Sequence, residues 1–384
     1  MSNEIINKVQ TEVPPPVEKT KVRNSSLELF RIITMILIVA HHYVVNSGIM
    51  AAMALDHTHP TSLFLYIFGA WGKTGINCFV LITGYFMCRS NISAKKFVKL
   101  LGEVMFYRIV IGSIFLITGY TPISLSVLLK MFVPITSINT GFTPAFLIFF
   151  LCIPFLNILI KGMSEKQHIR LLLVCIFTYV FLGSLPGFSV TMNYVSWFVV
   201  LYFIASYIRI YEKKIFNNTK FWGLAALGML LISTASIVVM NITHHSSHFF
   251  VSESNKALAV LLSISAFMFF KNLKIKTNKF INTVAASAFG VLLIHANSDA
   301  MRQWLWVDVL QNAKMYSSEW LVLHAILSVL VIYIICTVID FLRIQFIEKP
   351  FFKLWDKHFG KISDKYIQIE SKICKRLNIK ETDE

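Results

Sequence analysis

The strongest chemical signal in the chain lies on its first apolar stretch, Ser26-Leu-Glu28-Leu-Phe-Arg31-Ile-Ile-Thr-Met-Ile-Leu-Ile-Val-Ala-His41-His42-Tyr43. Arg31 and His42 stand eleven positions apart. In a helix that is close to three whole turns, so both side chains point the same way, roughly 16 Å apart along the axis. Glu28 lies near the same face, one turn below Arg31, whereas His41 is expected to point well away from it. A histidine in such a place can take and return a proton, and a guanidinium beside a carboxylate can orient an anion. Read singly, Arg31 is equally an anchor that snorkels to an interface, and His42 an ordinary structural histidine. The shared stripe, with an acid beside the arginine, favours function.

Other ionisable groups sit inside apolar stretches, where each costs roughly 2.5 kcal/mol or more to insert and is therefore a functional candidate. These are Lys73, Glu103, Arg108, His295 and Asp340, beside Glu28, Arg31 and His42. Lys73 and Asn77 are one turn apart in a glycine-rich stretch, Gly69 to Gly84, whose glycines allow close helix contact or local unwinding. Arg108 lies midway along the third stretch with Glu103 a little below it, and a structural ion pair with another helix would explain it equally. Asp340 and Arg343 are expected to form an ion pair at the interface. His295 ends Ala288-Phe-Gly290-Val-Leu-Leu-Ile-His295, and Asp299, Arg302, Trp304 and Trp306 follow it. The cations Arg31, Lys73 and Arg108 outnumber nearby anions. An anionic ligand would resolve the excess, whether the phosphates of coenzyme A or a transported anion. His244-His245-Ser-Ser-His248 has a zinc-like spacing but no acid where a metalloprotease needs one, so a hydrated loop and no metal are expected.

The elements that must hold these residues are membrane spans. The chain has 384 residues, of which 56% are hydrophobic and 15% charged, with a mean hydropathy of +0.65. A water-soluble domain could not hide so much apolar surface. The expected fold is all-α, a polytopic membrane helix bundle of about ten spans. They fall near 27–46, 62–88, 97–119, 142–161, 169–186, 193–210, 221–241, 256–271, 282–296 and 319–344. The stretch 123–135 is too short to span and reads as a re-entrant or interfacial helix. The net charge of +16 resides in short loops, which makes it a topology signal and a contact for anionic lipids rather than for nucleic acid. Loops rich in Lys and Arg alternate with poor ones: 47–61, 187–192 and 242–255 hold none. The alternation predicts both termini in the cytoplasm. Residues 1–24 read as a disordered cytoplasmic tail without a signal peptide, 25–348 as the membrane domain and 349–384 as a basic cytoplasmic tail. Aromatic residues among the lysines of 351–379 suit an interfacial helix. The six cysteines read as small buried hydrophobes.

Several of these segments together resemble the acyltransferase-3 family of integral membrane acyltransferases. Arg31 and His42 match its Arg-x10-His signature. Asn77-Cys-Phe79-Val-Leu-Ile-Thr83-Gly84-Tyr85-Phe86 is similar to its second-helix stretch. Phe289 to His295 is similar to its late Tyr-Leu-x-His segment, with Leu293 where Tyr is common, and Asp340-x-x-Arg343 with Glu348-Lys-Pro350 is similar to its C-terminal pattern. The resemblance runs from about 24 to 355, and it is to the stand-alone type without a soluble transferase domain. It implies a ten-helix enzyme of the bacterial cytoplasmic membrane. Such an enzyme moves an acyl group, usually acetyl, from cytoplasmic acyl-CoA to a hydroxyl of an envelope or exported polysaccharide, with no permanently bound cofactor. Under it, His42 is the base, and Arg31 with Glu28 orients the donor. Arg108, Lys73, Asn77 and Tyr85 fall on the donor side, and His295, Trp197 and Arg302 on the acceptor side. Membrane lipids are partners, and a homo-oligomer is open. The rival is a secondary transporter or exporter of an anionic or lipid-linked sugar, which would carry inverted repeats and paired broken helices.

Overall fold

A computed structural model describes residues 23–359, apart from positions 91, 137, 139, 140, 189 and 246. The expected tail at 1–24, but for its last two residues, and the chain from 360 onward lie outside the described residues. Among the described residues every regular element is helical. The long apolar segments are α1 (Ser25–Val45), α2 (Pro60–Met87), α3 (Ala94–Ile117), α4 (Phe142–Gly162), α5 (Glu165–Ser184), α6 (Tyr194–Ile210), α7 (Thr219–Ile242), α8 (Ala257–Asn272), α9 (Lys279–His295) and α10 (Leu321–Phe359). All ten stretches expected from hydropathy fall on them. Seven are long and apolar enough to cross a membrane, while α6 and α8 are shorter, and α9 forms with Asp299–Ser317 a pair bent by 94°. Residues 349–359 continue the helix of α10.

Polar residues start these helices because the first-turn amides have no partner within the helix. Asn24, Ser93, Asn193, Asn218 and Asn278 each accept from an amide of the turn that follows. α2 is broken between Gly69 and Gly72. Gly69, Gly72 and Gly75 face α1, where an added Cβ would press on Val44, the ring of His41 and Ile38 in turn. Their bare backbone lets α2 lie directly on α1.

Hydrogen bonds tie the helix ends into two sets. At one end, Tyr43 reaches His324 (2.9 Å), Ser62 reaches Tyr316 (2.7 Å), and Asn77 and His248 bind the loop 243–256 to α2 (2.7 and 3.0 Å). At the other, Ser26 bonds Leu273 (2.7 Å), Arg89 bonds Arg209 (3.2 Å), Tyr207 bonds Glu165 (3.0 Å) and Lys95 bonds Asp356 (2.6 Å). The second set brings together the segments rich in Lys and Arg, so it is called here the basic end.

Near that end lies a buried ion network. Arg343 holds Asp340 at 2.8 Å, Glu348 at 2.9 Å and Glu103 at 3.2 Å, and Tyr107 donates to Asp340 at 2.8 Å. Asp340 and Arg343 thus pair as expected, with Asp340 fully buried among its neighbours. Room for it comes from Gly290 of α9, where a Cβ would overlap the Asp340 carboxyl.

Candidate active site

The far half of the bundle encloses a cavity of about 680 Å³. α1 contributes Met35, Ile38, His41 and His42, and α2 contributes Gly72, Lys73, Ile76 and Phe79. α3 adds Val104, Arg108, Gly112 and Phe115, and the short helix Leu125–Phe132 closes one wall with Val127, Lys130 and Met131. Leu292, Leu293, Asp299 and Arg302 close another. Met35, Ile38 and His42 follow Arg31 at the four-, seven- and eleven-residue steps of one helical face. Arg31 itself is not part of the lining. It sits one turn below Met35, about 6 Å along the axis, and bonds Glu28 at 2.9 Å.

His42 meets His295 across the top of the cavity, Nδ1 to Nε2, at 2.9 Å. His295 is fully buried, and its Nδ1 lies 2.6 Å from the carbonyl oxygen of Val291. A carbonyl only accepts, so His295 Nδ1 carries the proton. With both rings neutral, His295 Nε2 then accepts from His42 Nδ1–H. That leaves the lone pair of His42 on Nε2, free to accept a proton. The edge of Trp306 packs on the His295 ring at 6.3 Å between centroids. Arg302, which also lines the cavity, pairs with Asp299 at 3.0 Å.

His41 corrects the sequence expectation, since it borders the cavity too. The break in α2 exposes the Gly69 carbonyl, which accepts from His41 Nδ1 at 2.6 Å. Bare Gly72 lets the ring lie across the gap.

The lining is cationic. Lys73, Arg108, Lys130 and Arg302 face it against one carboxylate, Asp299. Lys73 is held by Glu253 and the Tyr194 hydroxyl, each at 3.0 Å. Arg108 donates to the Val133 carbonyl at 3.0 Å. Among the described residues no carboxylate forms an ion pair with Arg108 or Lys130. Glu103, expected near Arg108, is committed to Arg343 instead.

Glu28, Arg31 and His295 are not among the lining residues, and three further sequence-predicted site residues, Trp197, Asn77 and Tyr85, also lie outside it and act as braces. Trp197 Nε1 donates to Asn77 Oδ1 at 2.8 Å, and Asn77 Nδ2 donates to the Ser254 carbonyl at 2.7 Å. Tyr85 accepts from Arg209 at 2.8 Å, toward the basic end. The Asn77 bond pins the loop next to Glu253, a residue that sequence reasoning missed along with Tyr194 and Lys130. Glu253 is the one acid in the stretch 242–255, which holds no lysine or arginine, and that isolation was its available signal. In the same loop burial holds His248 below the usual histidine range, and its Nε2 donates to the Tyr66 carbonyl at 3.0 Å. Among the described residues no group of three His, Cys, Asp or Glu could hold a metal ion.

No curated protein and no solved structure matches the chain. A family model does: that of the acyltransferase-3 family, described as an acyltransferase domain, matches residues 24–341. The match takes in α1 with Arg31 and His42, the cavity walls, and α10 as far as Asp340, so the chain belongs to the acyltransferase-3 family of membrane acyltransferases.

Proposed function

We propose that the chain transfers an acyl group, most simply acetyl, from acyl-coenzyme A to a hydroxyl of a cell-envelope or exported polysaccharide, in a bacterial cytoplasmic membrane. The observation that carries this reading is a histidine base held by a second histidine over a cationic cavity inside an apolar bundle.

The reading makes each of the ten segments a crossing, with the basic end and both termini in the cytoplasm. α6 and α8, at 17 and 16 residues, reach about 24–26 Å, somewhat short of a typical hydrocarbon core. Local bilayer thinning accommodates that at modest cost. A donor entering from the basic end passes Arg31 and Glu28 and extends its thioester arm up the stripe through Met35 and Ile38 toward His42. Arg108 and Lys130 supply positive charge for donor phosphate or for the oxyanion that forms at the carbonyl.

In the transfer, His42 Nε2 takes the proton of the acceptor hydroxyl as its oxygen attacks the thioester carbonyl. The carbon–sulfur bond then breaks, the proton returns to the departing thiolate, and an ester and free coenzyme A result. His295 holds the His42 ring so that Nε2, not Nδ1, faces the reaction.

The test is binding and hydrolysis of acetyl-CoA by the purified protein in detergent. Wild type is expected to bind and slowly hydrolyse it, and Arg31→Ala to weaken binding by about tenfold or more. A well-folded wild type that does not bind acetyl-CoA would reject the reading and turn attention to anion flux across vesicles.

A further inference from the structure

A second cavity, of about 470 Å³, lies on the other side of Lys73 and Tyr194, and both residues line both cavities. Its remaining wall includes Phe188, Asn193, Glu253, Asn255 and Lys256, from the ends of α5 and α6 and the loop 243–256, all away from the basic end. The Lys73 ammonium occupies the partition, clasped by Glu253 and the Tyr194 hydroxyl. Resting on the acyltransferase reading above, we infer that this second cavity is the acceptor's entrance and that the Lys73–Glu253 pair is the gate between it and His42.

The chemistry of the wall suits a polyhydroxylated segment. The Glu253 carboxylate, the amides of Asn193 and Asn255 and the ammonium groups of Lys73 and Lys256 surround the space, and a phenyl ring, Phe188, stands 60% exposed beside them. Carboxylate and amine bond the hydroxyls of a sugar, while an aromatic face covers its apolar C–H surface. The first cavity is more strongly cationic, with Arg108, Lys130 and Arg302 beside Lys73 against one carboxylate, Asp299, which suits the phosphorylated donor. The polar, sugar-like wall and the strongly cationic one thus lie on either side of the partition, with the base on the cationic side.

The gate is built to move without the backbone. Asn77 bonds the carbonyl of Ser254, Asn255 bonds that of Tyr179 at 2.8 Å and Lys256 bonds that of Gly183 at 2.5 Å. The chain on the C-terminal side of Glu253 is therefore pinned, and opening is a matter of its side chain. That side chain is 48% exposed and the Lys73 side chain 22%, and an ion pair that water reaches from one side contributes little. An acceptor hydroxyl can replace either partner of the pair as it enters.

The experiment blocks the entrance from outside. Membranes holding Phe188→Cys are treated with an impermeant maleimide-polyethylene glycol, with labelled wild type as the control for the chain's own cysteines. Two quantities are then read: incorporation of radiolabelled acetyl from acetyl-CoA into membrane polymer, and acetyl-CoA binding by the same protein after purification. Labelling is expected to cut incorporation by about tenfold or more relative to the unlabelled variant while leaving donor binding in place. Undiminished incorporation by a fully labelled variant overturns the entrance and leaves the acyltransferase reading standing. Lost donor binding overturns it as well, by assigning the cavity to the donor. Wild-type membranes that incorporate nothing overturn the reading of function and this inference with it. For the gate, Glu253→Gln is expected to raise acetyl-CoA hydrolysis in the absence of acceptor by severalfold, because water reaches the base. Unchanged hydrolysis removes the gate.

Discussion

His42 and His295 stand 253 residues apart in sequence yet share a hydrogen bond. The arrangement has a directional logic: a backbone carbonyl fixes the proton on His295, and His295 in turn fixes the proton on His42. A ring held in this way presents one nitrogen to the cavity without a carboxylate partner. His295→Ala is therefore expected to lower kcat for acetyl transfer by about 100-fold while leaving KM for acetyl-CoA nearly unchanged, and to shift the pH profile of kcat. His41→Ala, which removes the ring held to Gly69, is expected to cost less than tenfold. Equal losses in the two variants would give His41 a share in the proton transfer. His42 and Arg31 were legible because helix geometry alone places an eleven-residue spacing on one face. The His295 contact was not legible, since no local rule links residues so far apart. Nor was the position of His41, which depends on a break in a different helix.

At the scale of elements, the ten stretches marked by hydropathy are helical, and seven are long and apolar enough to cross a membrane, because burial in lipid demands long apolar runs whatever their packing. What hydropathy does not carry is how close two helices come. That is decided by single small residues such as Gly72 and Gly290, each of which admits a side chain of its neighbour. Polar residues on buried faces also divided in ways the sequence left open. Asn77 and Trp197 bond each other and brace a loop, whereas Lys73, one turn from Asn77, borders both cavities. Near the basic end α3 and α10 are locked by Arg343 among three carboxylates, and Gly290 of α9 makes room for one of them. Removing one partner of a buried pair leaves uncompensated charge, so Arg343→Ala is expected to cost about 3–5 kcal/mol. Gly290→Ala, which drives a methyl into Asp340, is expected to cost about 1–3 kcal/mol. Thermal unfolding of the detergent-solubilised variants checks both, and a wild-type melting temperature for Arg343→Ala would contradict a locking role.

For the whole molecule, the bundle has two unlike ends. Lysines and arginines crowd the loops of one, and the chemistry gathers in the half nearer the other. The positive-inside rule converts that asymmetry into an orientation. Single cysteines placed at positions 55 and 245 are expected to react with an impermeant thiol reagent in intact cells. Cysteines at 214 and 276 are expected to react only after permeabilisation. The reverse pattern would place the cavity on the cytoplasmic side and remove the need for an acyl group to cross. Under the proposed function, the base and the donor-orienting arginine share one helix: α1 runs from the basic end to the cavity, so a single rigid element spaces them by roughly 16 Å. The most direct test of the account is acetyl transfer from radiolabelled acetyl-CoA by membranes holding equal amounts of wild type and His42→Ala. A loss of about 100-fold or more, with the variant inserted and melting like wild type, is the predicted result. Full transfer by His42→Ala would contradict it.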